Sequence, residues 1–397
     1  MSRMRILIVL TYYRPHVSGL TIYAERLARG LARQGHAVTV LTSRFHPTLP
    51  ARERVDGLEI IRVPVTAKIS KGVVMPLFPV YAARLIPRHD IVNIHMPQFE
   101  AALLAVLARA YRKGVVLTYQ CDLSLPHGIF NRIVQSSLRP LNHIAARLAD
   151  RIVTTTDDYA RHSPFLSRFI PKVVAIPPLI DMPPPDPSTT QHLVDRWHLN
   201  GRARVGFAAR FAAEKGVEYL LQALPAVLAQ VPDLQLVFTG AYKDTVGEEE
   251  YLARLSPLLA RYADRLTFLD LLEPEEMPSF FALCDVLAVT SLNCTEAFGL
   301  VQVEAMLSGA PVVASDLPGV REAVRRTGMG EIVPPADPAA LAAALVRVIQ
   351  RRQEYVRPRD QVARTFDMSQ SVRQYEALFA ELLAADTRTW SRTTTAR

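Results

Sequence analysis

The fold is decided by one stretch of the chain, residues 286–319, which reads VLAVTSLNCTEAFGLVQVEAMLSGAPVVASDLPG. The evenly apolar residues 286–290 and 311–314 predict two strands that are buried on both faces, and residues 299–308 between them predict a helix. A strand, a loop, a helix and a second strand make a βαβ unit, the building block of a parallel sheet. The loop and the helix each carry one glutamate, Glu296 and Glu304.

The same alternation extends through the rest of the second half. Its pattern predicts strands over 204–209, 234–239, 266–269 and around Ile332, and helices over 216–230, 249–262, 274–283 and 320–325. The first half repeats the arrangement, with strands over 4–10, 37–42, 58–63, 91–95, 115–119, 151–155 and 173–176, and helices over 21–34, 100–111 and 131–149. Alternating strands and helices predict two α/β domains, each a Rossmann-like, doubly wound parallel sheet.

Six prolines between Pro177 and Pro187 predict a linker between these domains, because proline sustains neither a helix interior nor a central strand. We therefore expect a first domain over residues 1–180 and a second over 181–367. A further helix is predicted over 368–385, followed by a disordered polar tail over 386–397. Ligands of such sheets bind at the carboxyl ends of the strands, so functional residues are expected in the loops that follow strands.

Composition limits the function classes. The chain has 397 residues, 49% apolar and 21% charged, and a net charge of +8. Residues 1–185 hold 24 Lys and Arg against 11 Asp and Glu, so the first domain should attract anions such as an anionic membrane surface, a phosphorylated lipid or nucleic acid. Apolar runs stay below the ~18–20 residues of a membrane span, which predicts a cytoplasmic protein. Three cysteines without a Cys-x-x-Cys pair predict neither a disulfide framework nor a zinc site.

The spacing of Glu296 and Glu304, with Phe298-Gly299-Leu300 between them, resembles the donor signature of glycosyltransferase family 4. The resemblance covers about residues 4–380. It implies the GT-B fold, in which two Rossmann-like domains face a central cleft and the C-terminal helix packs back on the first domain. It also implies a nucleotide-diphosphate sugar as donor and a reaction that retains the anomeric configuration.

The donor signature assigns binding roles to its residues. Backbone amides of Phe298, Gly299, Leu300 and Val301 at the helix start suit a diphosphate, with the helix dipole behind them. Glu304 can accept two hydrogen bonds from a ribose diol, while Glu296 can bind a sugar hydroxyl or stabilise positive character at the anomeric carbon.

A second element, residues 206–216, is similar to the family's Gly-Arg-x-x-x-x-Lys-Gly motif and supplies Arg210 and Lys215. Two cations aimed at the terminal phosphate stabilise the departing diphosphate without a metal. The sequence has no Asp-x-Asp motif, which disfavours a metal-dependent transferase, so no metal is expected. The loop around Gly19 lacks the Gly-x-Gly-x-x-Gly fingerprint of nicotinamide cofactors, so no cofactor is expected. The family's base-binding loop corresponds to residues 271–273, whose backbone groups are expected to bind a UDP or GDP base, with apolar packing from Leu272 or Pro274.

The first domain departs from the family at two places. The family's glycine pair after the first strand is reduced to Gly19, preceded by Ser18, although Gly19 still lets the backbone approach a phosphate. At the end of the strand 115–119, Gln120 stands where the family has histidine. Gln120 can bind a sugar hydroxyl but cannot titrate, so Asp122 becomes the candidate for orienting the acceptor or taking its proton. The alternative for Asp122 is a helix cap or turn residue.

Three hypotheses follow. The first is a retaining, metal-independent hexosyl or related glycosyltransferase that acts on a glycan, lipid or lipid-linked acceptor. Its basic first domain and the apolar residues 73–86 then predict peripheral contact with an anionic membrane, at the inner face of the cell membrane. The second is a GT-B-fold nucleotide-sugar epimerase. The third is a non-catalytic module that binds anionic membrane or nucleic acid, although no nucleic-acid-reading motif is present.

Overall fold

The structure of the protein is a computed structural model that describes residues 3–69, 72–123, 129–199, 202–242, 248–269 and 271–394. The chain divides into two compact units. The first unit contains Met1–Leu179 and Met368–Arg397, and the second contains Ile180–Asp367. The first change of unit falls among the prolines of residues 177–187, and the second falls directly before the last helix.

Strands alternate with helices through both units. Among the described residues the strands are β1 Arg5–Val9, β2 Ala37–Arg44, β3 Arg52–Val55, β4 Leu58–Pro64, β5 Ala67–Ile69, β6 Gly72–Val74, β7 Ile91–Met96, β8 Gly114–Tyr119, β9 Arg151–Thr154, β10 Val173–Ala175, β11 Arg204–Ala208, β12 Gln235–Thr239, β13 Leu266–Phe268, β14 Val286–Val289, β15 Val312–Ser315 and β16 Gly330–Val333.

The α-helices of the same residues are α1 Gly19–Arg33, α2 Phe78–Leu85, α3 Ala101–Ala110, α4 Ile129–Leu148, α5 Asp157–His162, α6 Pro187–Trp197, α7 Val217–Gln230, α8 Glu249–Arg261, α9 Met277–Leu283, α10 Leu300–Leu307, α11 Glu322–Thr327, α12 Pro338–Gln350, α13 Arg352–Tyr355, α14 Arg359–Thr365 and α15 Met368–Thr394. Short 3₁₀ turns lie at Ile86–Arg88, Leu166–Arg168, Ile170–Lys172, Ala213–Lys215 and Ala263–Arg265.

Each unit is built on one main sheet. In the described part of the first unit the strand order is β10-β9-β8-β7-β1-β2-β4-β3, with only the edge strand β3 antiparallel to its neighbour. In the described part of the second unit the order is β13-β12-β11-β14-β15-β16, and every pair is parallel. The predicted α/β class with two parallel sheets is therefore confirmed. In both sheets the strand order reverses beside the first strand of the unit, where ligands of such folds bind.

Helix α15 belongs to the first unit and completes its core. Tyr375 and Phe379 of this helix are fully buried in the same apolar cluster as Tyr23 and Leu27 of α1. The Tyr375 hydroxyl is 3.0 Å from the Tyr23 hydroxyl and 3.2 Å from Thr118 Oγ1. The helix backbone continues to Thr394.

Two helices that the sequence did not predict begin with the dipeptide Asp-Pro. The side chain of Asp186 caps α6 by accepting from the Thr189 amide at 2.7 Å, and Asp337 caps α12 by accepting from the Ala340 amide at 2.9 Å. Proline fits the first helical position, where its missing amide hydrogen has no partner to lose. The last of the linker prolines, Pro187, therefore starts a helix rather than ending a linker.

Candidate active site

The loop between β14 and α10 holds the predicted donor signature in a fixed conformation. Gly299 caps α10 with φ of 75°, a left-handed value that favours glycine. A Cβ atom at this position would lie 2.8 Å from the side-chain nitrogen Nε2 of Gln302. Gln302 is fully buried and donates to the carbonyl oxygens of Phe298 at 2.7 Å and Val320 at 3.0 Å. The start of α10 is therefore held in place from inside the unit.

The side chain of Phe298 takes part in the core rather than in the site. It is 3% exposed and contacts the ring of Phe366, with the centroids 5.8 Å apart. Only its backbone can serve a ligand. Leu300 and Val301 form the first turn of α10, where amide groups precede the regular helical hydrogen bonds, and Glu304 follows one turn later with 7% exposure.

Two residues that lie 81 positions apart in sequence meet at the carboxyl edge of the second sheet. Lys215 Nζ donates to Glu296 Oε2, and Ser291 Oγ lies 3.5 Å from the same carboxylate oxygen. The two loops are also joined through their backbones, because Thr290 Oγ1 donates to the Lys215 carbonyl at 2.7 Å. Since β11 and β14 are neighbouring strands, the loops that follow them converge. The structure thus brings together Lys215 and Glu296, the two predicted site residues whose replacement is expected to reduce turnover most.

Arg210 lies after β11 with carboxylates on both sides. Its guanidinium pairs with Glu214 and lies 3.9 Å from Glu248. Glu248 is buried and also accepts from the Ala213 amide at 3.1 Å. Neither Glu214 nor Glu248 was predicted from the sequence as a site residue. Glu214 lies inside the quoted motif, whereas nothing local in the sequence marks Glu248, because it contacts Arg210 across 38 residues.

The loop predicted to hold the donor base presents Leu271 rather than Leu272. The Leu272 side chain is 8% exposed and packs in the apolar core of the second unit, while Leu271 is 68% exposed. Within residues 271–274, the exposed apolar side chains are therefore those of Leu271 and Pro274.

In the first unit, Ser18 stands in place of the first glycine of the family's pair and caps helix α1. Ser18 is the N-cap of α1 with φ of −156°, an extended value open to any residue, and its side chain accepts from the Thr21 amide at 3.2 Å. Gly19 does not have a positive φ, and a Cβ atom there would meet nothing within 4 Å. Neither the backbone nor the packing of the chain explains the glycine at position 19.

The loop before Gly19 is anchored by an arginine that the sequence analysis missed. Arg62 is 2% exposed, and its guanidinium donates to the Arg14 carbonyl at 3.1 Å and to the Glu53 carboxylate at 2.5 Å. A buried arginine is stable only when it is paired in this way. No local signal marks Arg62, because its partners lie 9 and 48 residues away.

Asp122 is enclosed by hydroxyl groups. Its carboxylate accepts from Tyr119 at 2.9 Å, from Tyr159 at 3.0 Å and from Ser163 at 2.9 Å, and the residue is 8% exposed. The burial of Tyr159, next to this carboxylate, holds the pKa of the phenol well above its usual value, so the phenol stays a hydrogen-bond donor. This geometry favours the alternative role for Asp122, that of anchoring the loop after β8, over proton transfer.

Gln120 directly follows β8, and its backbone amide donates to the Met96 carbonyl at 3.0 Å. Its side-chain nitrogen has no hydrogen-bond partner among the residues that the structure describes. No group of three His, Cys, Asp or Glu side chains in the described ranges could hold a metal ion.

Two family models match the chain. The model described as glycosyl transferases group 1 matches residues 202–351, and the model described as glycosyl transferase 4-like domain matches residues 18–178. Together the two matches span most of both units.

Curated relatives are similar over almost the whole chain. A GDP-mannose-dependent alpha-(1-6)-phosphatidylinositol monomannoside mannosyltransferase of Mycobacterium tuberculosis is 29% identical over 89% of this chain and 91% of that protein. A phosphatidyl-myo-inositol mannosyltransferase of the same species is 28% identical over 94% of this chain and 97% of that protein. Among solved structures, Anabaena HepE in complex with UDP and glucose has a TM-score of 0.75 at 21% identity, covering 96% of this chain and all of that one.

Proposed function

The chain belongs to glycosyltransferase family 4, has the GT-B fold and is a nucleotide-sugar-dependent glycosyltransferase, and from this premise we propose that it acts with retention and without a metal on a lipid acceptor. The proposal depends on the contact between Lys215 and Glu296, which lies in the loop before α10. It supports a site where one cation faces the leaving diphosphate and one carboxylate faces the sugar.

The ion pairs and the exposure of Lys215 and Arg210 support a site that binds an anion. Lys215 and Arg210 each pair with a carboxylate of their own unit, Glu296 and Glu214. All four side chains keep part of their surface exposed, between 19% and 39%. A diphosphate can therefore exchange with Glu214 at Arg210, while the Glu296 carboxylate turns to a sugar hydroxyl or to positive charge at the anomeric carbon.

The names of the relatives suggest the first substrates to test. GDP-mannose is a donor named for one relative, and UDP with glucose occupies the HepE structure. Phosphatidylinositol lipids are the acceptors named for the mannosyltransferases. We propose an acceptor of this class, a polyol carried on an anionic lipid.

Product analysis tests the proposal. The protein is incubated with GDP-mannose or UDP-glucose and phosphatidylinositol vesicles in EDTA, and the product is examined by mass spectrometry and by the anomeric NMR signal. Retention of the donor's α configuration is expected in the new glycoside. A β product, or activity that depends on added Mg²⁺ or Mn²⁺, would contradict the corresponding part of the proposal, and formation of the donor's epimer without acceptor would favour the epimerase instead.

Gly19 supplies a prediction that separates ligand approach from folding. Gly19→Ala should leave the melting temperature unchanged or higher, because the new Cβ meets no atom of the chain and alanine favours a helix. If a substrate phosphate approaches this backbone, the same change should raise the KM for that substrate about tenfold, which corresponds to a loss of ~1.4 kcal/mol in binding free energy. Thermal denaturation and steady-state kinetics measure the two effects. The control is Ser18→Ala, which removes the N-cap and should lower the melting temperature with little change in KM.

The first unit offers a surface suited to an anionic bilayer. Three of its apolar side chains, Val74, Leu77 and Val80, are between 37% and 50% exposed, in and beside the β5–β6 hairpin and α2. A pocket of about 410 Å³ next to the hairpin is lined partly by Arg44 and Lys68. Exposed apolar side chains with nearby cations are typical of surfaces that bind membranes peripherally. Within the described ranges, no helix combines the length and the apolar character needed to span a bilayer.

Leu77→Asp is expected to reduce binding to anionic vesicles about tenfold. The aspartate adds a negative charge that the anionic bilayer repels, and it removes exposed apolar area that the bilayer would bury. Sedimentation with phosphatidylinositol-containing and neutral vesicles measures this. Leu271→Asp is the matched control, since it changes an exposed leucine of the second unit in the same way. Equal vesicle binding by wild type and Leu77→Asp would show that this surface does not contact the membrane.

A further inference from the structure

A pocket of about 410 Å³ in the first unit lies where strands β2 and β4 end. Its walls are formed by the loop after β2 and by the segment that leads from β4 into the hairpin β5–β6. Arg44, the last residue of β2, is paired in the parallel ladder with Pro64, the last residue of β4. The pocket therefore lies at the carboxyl edge of the sheet, where ligands of such folds bind, and its volume is in the range of small-molecule sites.

Two cations line this pocket, and neither has a carboxylate partner among the described residues. They are Arg44 and Lys68. Every carboxylate side chain of residues 44–68 is paired with an arginine outside the pocket, in the contacts Glu53–Arg62, Asp56–Arg29 and Glu59–Arg52. A cleft lined by charges of one sign raises the local concentration of the opposite ion. The pocket is therefore suited to an anionic ligand.

The Arg44 guanidinium is held in place by the backbone of its own loop. Its Nε atom donates to the Leu49 carbonyl at 2.6 Å, and its Nη2 atom donates to the Pro47 carbonyl at 2.8 Å. The other N–H groups of this guanidinium make no hydrogen bond within the described ranges, so they can bind a ligand. A planar guanidinium that is fixed in advance can give parallel hydrogen bonds to a phosphate at a small loss of conformational entropy. Arg44 therefore favours phosphate as the anion.

The walls between the two cations are largely apolar and include Phe45, Pro47 and Val65. The Phe45 ring packs against the rings of Tyr12 and His16, with centroid distances of 5.6 and 5.9 Å. Apolar walls favour a phosphate that carries organic groups, because inorganic phosphate would leave the walls in contact with water. A phosphodiester, which has an organic group on each side, matches both the cations and the walls.

The position of the pocket favours a lipid as the source of this phosphodiester. Thr66 in the pocket wall donates twice to the Val74 carbonyl, at 2.9 Å from its amide and at 3.2 Å from its hydroxyl. Val74 is 37% exposed, and Leu77 is 50% exposed. A phospholipid whose phosphate lies in the pocket can place its apolar part against these side chains, whereas a soluble sugar phosphate would bury none of them.

We propose that this pocket binds the phosphodiester of an anionic phospholipid headgroup, with Arg44 and Lys68 as the two cations. The inference rests on the proposed function, in which such a lipid is the acceptor. It adds a contact to the headgroup phosphate, separate from any contact to the polyol that receives the sugar. The headgroup with its phosphate should therefore bind, and the free polyol should bind much more weakly.

Calorimetric titration with glycerophosphoinositol, the water-soluble headgroup, tests the pocket without a membrane. Wild type is expected to bind this diester, and Lys68→Gln and Arg44→Gln should each weaken binding about tenfold, because each removes one charge from the phosphate. Myo-inositol should bind wild type at least about tenfold more weakly than the diester. The Lys68 side chain is exposed and makes no hydrogen bond or ion pair within the described part of the chain, so Lys68→Gln should keep the melting temperature.

Arg54→Gln is the matched control. It removes the same charge from the same unit, but Arg54 is exposed on β3 and does not line the pocket. This variant should bind glycerophosphoinositol as wild type does. Equal losses in Lys68→Gln and Arg54→Gln, or no binding of glycerophosphoinositol by wild type, would overturn the inference. Inorganic phosphate that binds wild type as tightly as the diester would also overturn it, because the site would then be one for free phosphate.

Transfer assays separate this inference from the proposed function. Headgroup binding that depends on Lys68, in a protein that transfers no sugar to phosphatidylinositol, would support the pocket and overturn the proposed acceptor. Sugar transfer to phosphatidylinositol vesicles with the same KM in wild type, Lys68→Gln and Arg44→Gln would overturn the pocket and leave the proposed function standing.

Discussion

Lys215→Ala is expected to lower kcat about 10³-fold, at the upper end of the 10²–10³-fold loss observed when one preorganised donor to a developing charge is removed. The Lys215 ammonium contacts Glu296 at the carboxyl edge of the second sheet and retains 24% exposure, so it can reach an anionic ligand. We propose that its charge acts on the diphosphate as the glycosidic bond breaks, when negative charge on the leaving group is greatest. The loss should therefore appear in kcat rather than in donor KM alone.

Stability should change little in this variant, because a partly exposed ion pair contributes only ~0–1 kcal/mol. Single-turnover kinetics and thermal denaturation separate the two effects. The matched control is Lys172→Ala. Lys172 donates to three backbone carbonyls, with distances of 2.6 to 3.3 Å, so its loss should lower the melting temperature and leave kcat unchanged. A Lys215→Ala enzyme with near-normal kcat would remove Lys215 from the leaving-group site.

Glu296→Gln is expected to lower kcat by about 10²-fold or more while preserving the fold, because glutamine keeps the shape and loses the negative charge. The carboxylate has 19% exposure and two polar neighbours, Lys215 and Ser291, so the amide can retain a hydrogen bond to the serine. What it cannot do is stabilise positive charge at the anomeric carbon. Rapid-quench measurement of the chemical step tests this directly.

The double variant Lys215→Ala with Glu296→Gln distinguishes a reacting pair from a structural one. If both residues act on the same transition state, the double variant should lose less activity than the product of the single losses. Glu331→Gln is the control for a pair elsewhere in the second unit, since Glu331 binds Arg347 and Tyr355. It should change stability but not turnover. Restoration of activity in the double variant would show that the pair matters only for folding.

Most of the fold was predictable because buried parallel strands are evenly apolar and the helices between them are amphipathic. The second sheet shows this best, as β11, β12, β14 and β15 lie within one or two residues of the predicted ends. The hairpin β5–β6 was not predicted because each of its strands has only three residues, and helix α2 was not predicted because Pro79 interrupts its apolar pattern. Helix α12 was not predicted, although Asp337-Pro338 is a helix start signal in which proline occupies the first helical position.

The site was predictable where its residues lie in one loop or in matched motifs. Glu296, Glu304 and Lys215 belong to such segments, and the contact between Lys215 and Glu296 follows from the adjacency of β11 and β14. Contacts made across distant segments leave no local signal, as with Arg62. The enclosure of Asp122 depends on two residues of the region near α5 and could not be read from the loop after β8 alone.

We propose that the second unit binds a nucleoside diphosphate through Lys215 and Arg210 without a metal. Calorimetric titration of GDP and of UDP into wild type and Lys215→Ala, both in EDTA, tests it most directly. Wild type is expected to bind at least one of the two nucleotides, and the variant is expected to bind the same nucleotide about tenfold more weakly, a difference of ~1.4 kcal/mol. Equal affinity in the two proteins, or binding by wild type only when a divalent cation is supplied, would contradict it.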